Sequence, residues 1–157
     1  MLDKIFGGKE GFKQTSSFSS TIAERRCEIQ IIIIIDSSGK GVFSYVPETS
    51  KIHVDESLVS MFISAINNFS QEIFNQESNP SIVVDHGSLS ILVESKEEFC
   101  VAVIGRNPNE ELKKAVLATL EFVNLFYKDI DFSIGDNNFE MDMHLFVKQR
   151  FRKFIES

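Results

Sequence analysis

Hydrophobic and polar residues follow three different rhythms along this chain, and each rhythm predicts a kind of element. In the stretch "EIQIIIIIDSSGKGVFSY", residues 28–45, five consecutive isoleucines at 31–35 show no alternation at all. β-Branched side chains are stiff at χ1 and favour extended backbone. A half-exposed strand alternates apolar and polar positions, whereas a strand covered on both faces reads as one continuous run. The run therefore predicts a central strand with material packed above and below it. "DSSGKG" predicts a tight reversal, and "VFSYV" at 42–46 the returning strand, ended by Pro47, which lacks a ladder donor.

Two other readings of this stretch fail. A membrane-spanning helix needs about 20 mainly apolar residues, and this run is closed by Glu28 and Asp36 and interrupted by Gln30. A phosphate-binding loop needs a glycine five positions before Gly-Lys and a hydroxyl residue after it. Here Ile34 occupies the first place and Gly41 follows Lys40.

Helical spacing takes over after Asp55, a cap for free helix amides, with Glu56 suited to the positive end of the dipole. Leu58, Phe62, Ile66, Phe69 and Ile73 recur at steps of three and four and predict a core stripe. Val59, Ile63 and Phe74 form a second apolar set beside it, so the helix is either deeply buried or meets a partner. Three short strands follow, at 81–84, 89–94 and 99–104, with turns at "DHGS" and "SKEE"; their spacing is that of an antiparallel meander.

"RNPNEELKK" carries start signals for a second helix: Asn107 as cap, Pro108 at the first helical position, and Glu110 where a capping box wants it. Its predicted buried stripe is Leu112, Val116, Leu120, Val123, Phe126 and Ile130. "FEMDMHLFVKQRFRKFIES" is a last amphipathic helix with a basic end of Lys148, Arg150, Arg152 and Lys153, which first of all complements its own dipole. Residues 1–24, rich in Gly, Ser, Thr and Lys, are expected to be a flexible tail, with 25–157 forming one domain.

Composition narrows the function class. A net charge of −7 argues against a nucleic-acid partner, whose phosphates want a basic face. Cys27 and Cys100 lack metal or redox spacing and read as reduced core thiols. The opening "MLDKIFGGKEGF" has too short an apolar part for a signal peptide, and Leu2 excludes N-myristoylation, so a cytoplasmic protein is expected. Leu2, Ile5 and Phe6, with Lys4 and Lys9, leave room for at most a peripheral membrane contact.

Candidate chemistry is sparse. Asp85, His86 and Ser88 are neighbours within one hairpin turn, whereas a catalytic triad is assembled from separate elements. His53 and His144 have no histidine partner four residues away, and Asp129 and Asp131 suit a solvated helix end. No catalytic residue, metal ligand or cofactor site is predicted.

The order of elements is similar to that of the longin/roadblock class of profilin-like α/β domains. "IIIIIDSSGKGVFSY" resembles the opening hairpin of that class, and "FCVAVIGRNPNEELKKAVLATLEFVNLFY" its last strand and following helix. The resemblance covers residues 27–155 and rests on apolar and turn patterns. It implies an α+β fold of order ββαβββαα: a five-stranded antiparallel sheet between one helix and two C-terminal helices, with the first strand mid-sheet. It also implies a non-enzymatic interaction module that dimerises with itself or a related subunit, and that binds or regulates Ras-like small GTPases or trafficking machinery. The chain departs from the class in its leading tail, and it lacks the heptad extension of a longin SNARE.

The residues expected to meet a partner are Val59, Ile63, Phe74, Ile82 and Val84, apolar positions on the first helix and third strand beside a sheet edge. Two rival readings are a PAS-like small-molecule sensor, which needs a cavity that these large side chains would fill, and a profilin-like actin-binding protein.

Overall fold

The computed structural model describes residues 26–53, 55–74, 81–130, 132 and 137–155; the expected tail at 1–24 lies outside them. The isoleucine run forms strand β1 (Glu28–Asp36), and the chain returns as β2 (Gly41–Tyr45). Helix α1 (Glu56–Phe74) precedes a meander of β3 (Ile82–His86), β4 (Leu89–Lys96) and β5 (Phe99–Arg106). Helices α2 (Glu110–Tyr127), α3 (Asn137–Arg150) and a short α4 (Arg152–Ile155) complete the described order. All strand pairs are antiparallel, in the order β2-β1-β5-β4-β3. The fold is the predicted ββαβββαα arrangement, with the last expected helix broken at Phe151 into α3 and α4.

The alternation of β1 divides its isoleucines between two cores. Ile31, Ile33 and Ile35 join Val93, Cys100, Ala102 and Ile104 under Ile63 of α1. Ile32 and Ile34 face the other way, into a larger cluster with Leu112, Val116 and Leu120 of α2 and Met143 and Val147 of α3. None of the five is more than 2 % exposed, and full burial stabilises by about 1.5–3 kcal/mol for each such side chain.

Gln30, the polar break in the run, is a β-bulge. The pairing of β1 with β5 skips it between Ile29 and Ile31, so Ile29 and Ile32 reach the same core. The Gln30 side chain is buried, and its Oε1 accepts hydrogen bonds from the Lys51 amide (2.7 Å) and Ser50 Oγ (3.2 Å), which ties down the loop after β2. Gly105 lies opposite Ile29, where a Cβ would meet the Glu28 carbonyl oxygen at 2.3 Å. Only glycine lets the two backbones come this close.

"DSSGKG" is held by its first residue. Asp36 Oδ1 accepts from the amides of Ser38 (3.0 Å) and Lys40 (3.1 Å) and from Ser38 Oγ (2.6 Å). Gly39 supplies the positive φ of +90° that closes the reversal.

Two details of the second helix differ from expectation. The cap is Asn109, whose side chain accepts from the Leu112 amide at 2.8 Å, and not Asn107. Asn107 instead takes a positive φ of 53°, a conformation asparagine tolerates, and turns the chain out of β5. Phe126 and Ile130 are exposed. Tyr127 takes the last buried place in their stead, because its ring packs on Phe139 (4.7 Å between centroids) while its hydroxyl donates to Asp142 (2.5 Å). A tyrosine can thus be buried without stranding its polar end.

Candidate interaction surface

Helical periodicity gives the spacing of an apolar stripe but not which stripe faces the sheet. In α1 the assignment is the reverse of the expected one. Ile63 is fully buried in the core between α1 and the sheet, while Phe62 is 51 % and Met61 64 % exposed. Ile63 therefore has no surface to offer a partner, which corrects its placement at a contact. The rotation is set on one flank by Ser60 and Ser64, one helical turn apart. A Cβ on Gly41 would come within 2.6 Å of Ser60 Oγ, and one on Gly39 within 3.2 Å of Ser64 Oγ. Ser64 Oγ also donates to the Gly39 carbonyl at 3.4 Å. Small residues on both sides let this flank sink against the β1–β2 turn, and at 100° per residue Ile63 is then turned down and Phe62 outward.

The opposite flank of α1 carries Phe62 with half-buried Val59 and Ile66. Val59 packs into the same cluster as Ile82 of β3 and Ile91 of β4. Among the described residues, strand β3 is a sheet edge. Its register, Ile82 opposite Val93 and Val84 opposite Ile91, turns Ile82 and Val84 to the α1 face, where both are half-buried. Val83, on the other face, is 54 % exposed. The structure thus brings Val59, Ile82 and Val84 to one side of the molecule and adds Phe62, which the sequence assigned to the core; the Phe74 side chain lies outside the described residues. The signal that could have found Phe62 is the Ser60/Ser64 pair facing two turn glycines.

The remaining chemistry is structural. Asp85 Oδ1 accepts from Ser90 Oγ across the hairpin at 2.5 Å, and His86 is exposed beside it. The His144 ring leans edge-on against Tyr45. Burial pushes the thiols of Cys27 and Cys100 up to about 11, which keeps them protonated at neutral pH and poor nucleophiles. Glu94 is buried, with Oε1 accepting from Ser81 Oγ at 2.7 Å. Among the described residues, no group of three or more His, Cys, Asp or Glu could hold a metal ion, and no helix is long and apolar enough to cross a membrane. A groove of about 860 Å³ is open to solvent between β3 and the start of α2, with Val83, Ser90, Arg106 and Lys113 along its walls.

No protein-family model and no curated protein matches the chain. Solved structures do. The Roadblock/LC7 domain from Streptomyces avermitilis superposes with a TM-score of 0.53 at 12 % identity, over 64 % of this chain and 87 % of that one. An MglB in a tetrameric arrangement gives 0.53 at 10 % identity, over 60 % of this chain and 76 % of that one. At such identities the likeness is one of fold, and the chain has the roadblock/longin fold.

Proposed function

We propose that this chain is a non-enzymatic interaction module that pairs with itself or a related roadblock subunit through the β3 edge and the Phe62 flank of α1, and that the assembly binds and regulates a Ras-like small GTPase. The observation that carries the reading is the meeting, among the described residues, of an unpaired strand edge with an uncovered apolar helix flank. Main-chain groups of β3 can add a partner strand, while Phe62, Val59, Ile82 and Val84 supply the side-chain contacts that fix register and selectivity. The solved MglB of like fold is itself an assembly, in a tetrameric arrangement, and domains of the class that the sequence resembles hold Ras-like GTPases. The absence of assembled catalytic groups among the described residues suits a module that acts by contact.

The test is binding of the purified chain to Ras-like GTPases encoded in the same genome, each loaded in turn with GDP and with a non-hydrolysable GTP analogue. Binding that distinguishes the two nucleotide states supports the reading. No binding to any of them, from a chain that does self-associate, would leave an interaction module without the GTPase.

A further inference from the structure

On the sheet face opposite α1, the layer of α2 and α3 has an outer surface that the pairing through β3 does not use. The two helices run antiparallel: Tyr127 bonds Asp142, the Phe122 and Phe146 rings lie 4.4 Å apart, and Glu111 pairs with Lys153. This register sets Leu125 and Phe126 of α2 at the level of Met141 and Leu145 of α3. All four are largely exposed, Leu125 at 75 % and Leu145 at 65 %. An inward-facing explanation is closed to them, since Phe139, Met143 and Val147 already fill the α3 side of the core.

The charge at one end of this layer is cationic, against the sign of the whole chain. Lys114, Lys148, Arg150 and Arg152 are exposed toward the other end of the same layer, and the run 148–153 holds four cations and no acid in a chain of net charge −7. Nearer the apolar level the acids Glu121, Asp129, Glu140 and Asp142 are exposed as well; Asp142 accepts from the Tyr127 hydroxyl and Glu121 lies 3.9 Å from Lys96, while Glu111 pairs with Lys153. Lys148 and Arg152 have no ion-pair partner among the described residues, and Arg150 lies over the Phe146 ring at 5.7 Å.

We infer that this layer is a peripheral docking face for an anionic lipid surface. Exposed apolar side chains beside a cluster of cations meet the two demands of such a surface: the former enter the boundary between headgroups and acyl chains, and the latter face the anionic headgroups. The binding is held by several weak contacts and is reversible and salt-sensitive. It is independent of the β3 edge, so a monomeric variant keeps it.

The full chain is to be sedimented with vesicles of phosphatidylserine and phosphatidylcholine in equal amounts, and with vesicles of phosphatidylcholine alone. The expected result is binding to the first and not the second, lost at high salt. Lys148→Gln/Arg152→Gln lowers partitioning roughly thirtyfold, and Leu125→Glu/Leu145→Glu abolishes it, with unchanged thermal melting in both cases because all four positions are exposed. Absence of binding to the anionic vesicles overturns the inference, as does equal binding to both kinds. Binding that survives both variants and is lost with Phe6→Glu would place the contact at the chain start. A change of oligomeric state in Leu125→Glu/Leu145→Glu, without vesicle binding by the parent chain, would make the face a protein interface instead.

Discussion

Strands β1 and β3 are both built on β-branched residues and end in opposite situations. These residues are isoleucine in β1 and chiefly valine in β3, and every isoleucine at 31–35 is sealed between two cores. In β3, Ile82 and Val84 are half-buried and Val83 is mostly exposed. The difference lies in the neighbours. β1 has strands on both sides and helices above and below, whereas β3, among the described residues, pairs only with β4. Apolar residues in the middle of the sheet hold the fold together, and residues of the same kind at its edge remain open to a partner.

The contrast predicts unequal costs for truncation. Ile33→Ala, in the sealed strand, is expected to lower stability by about 2–5 kcal/mol in urea denaturation, while Val83→Ala changes it by no more than about 0.5 kcal/mol. Comparable losses at both sites would remove the distinction between core strand and edge strand. Gly105→Ala forces apart the backbones at the Gln30 bulge and is expected to cost about 1–3 kcal/mol, read by the same melts. A neutral outcome would mean that β1 and β5 separate more easily than their close approach implies. Asn109→Ala removes the cap of α2 and costs about 1 kcal/mol; Asn107→Ala leaves the Leu112 amide bonded and does not reproduce that loss of helix capping.

A smaller effect sharpens the picture of the interior by pH. Cys100 has a folded-state pKa of about 11 against an ordinary 9.0, because burial disfavours its thiolate. Between these values the unfolded chain releases a proton that the folded chain keeps. Stability therefore falls as pH rises from about 9 to about 11, and this group contributes no slope below that window. Denaturation across the window, compared with Cys100→Ala, should show a shallower decline in the variant; identical slopes would mean that Cys100 is not sealed.

The centre of the fold was legible because its signals are local. Five β-branched residues without alternation read as a strand covered on both faces, and Asp36 with Gly39 writes the turn that follows. The element order then followed from the spacing of the remaining strands and helices. The interaction surface was less legible, since it depends on how α1 is rolled on the sheet. Phe62 and Ile63 are adjacent and both apolar, and only the contacts of Ser60 and Ser64 with the glycine turn decide which one faces down. The true cap of α2 was obscured for a similar reason. Asn107 and Asn109 are equally good caps, and the choice rests on where β5 ends, at a positive φ that no spacing rule shows.

The central claim, that the β3 edge and the Phe62 flank form an assembly surface, is tested most directly by solution mass from light scattering across a dilution series. The parent chain and Phe62→Asp are to be compared, with urea melts as the control for folding. The account predicts a parent species of at least twice the 17.8 kDa chain, and a Phe62→Asp variant that melts within about 0.5 kcal/mol of the parent yet remains a monomer. A monomeric parent at all concentrations, or a Phe62→Asp variant that assembles as the parent does, would contradict it.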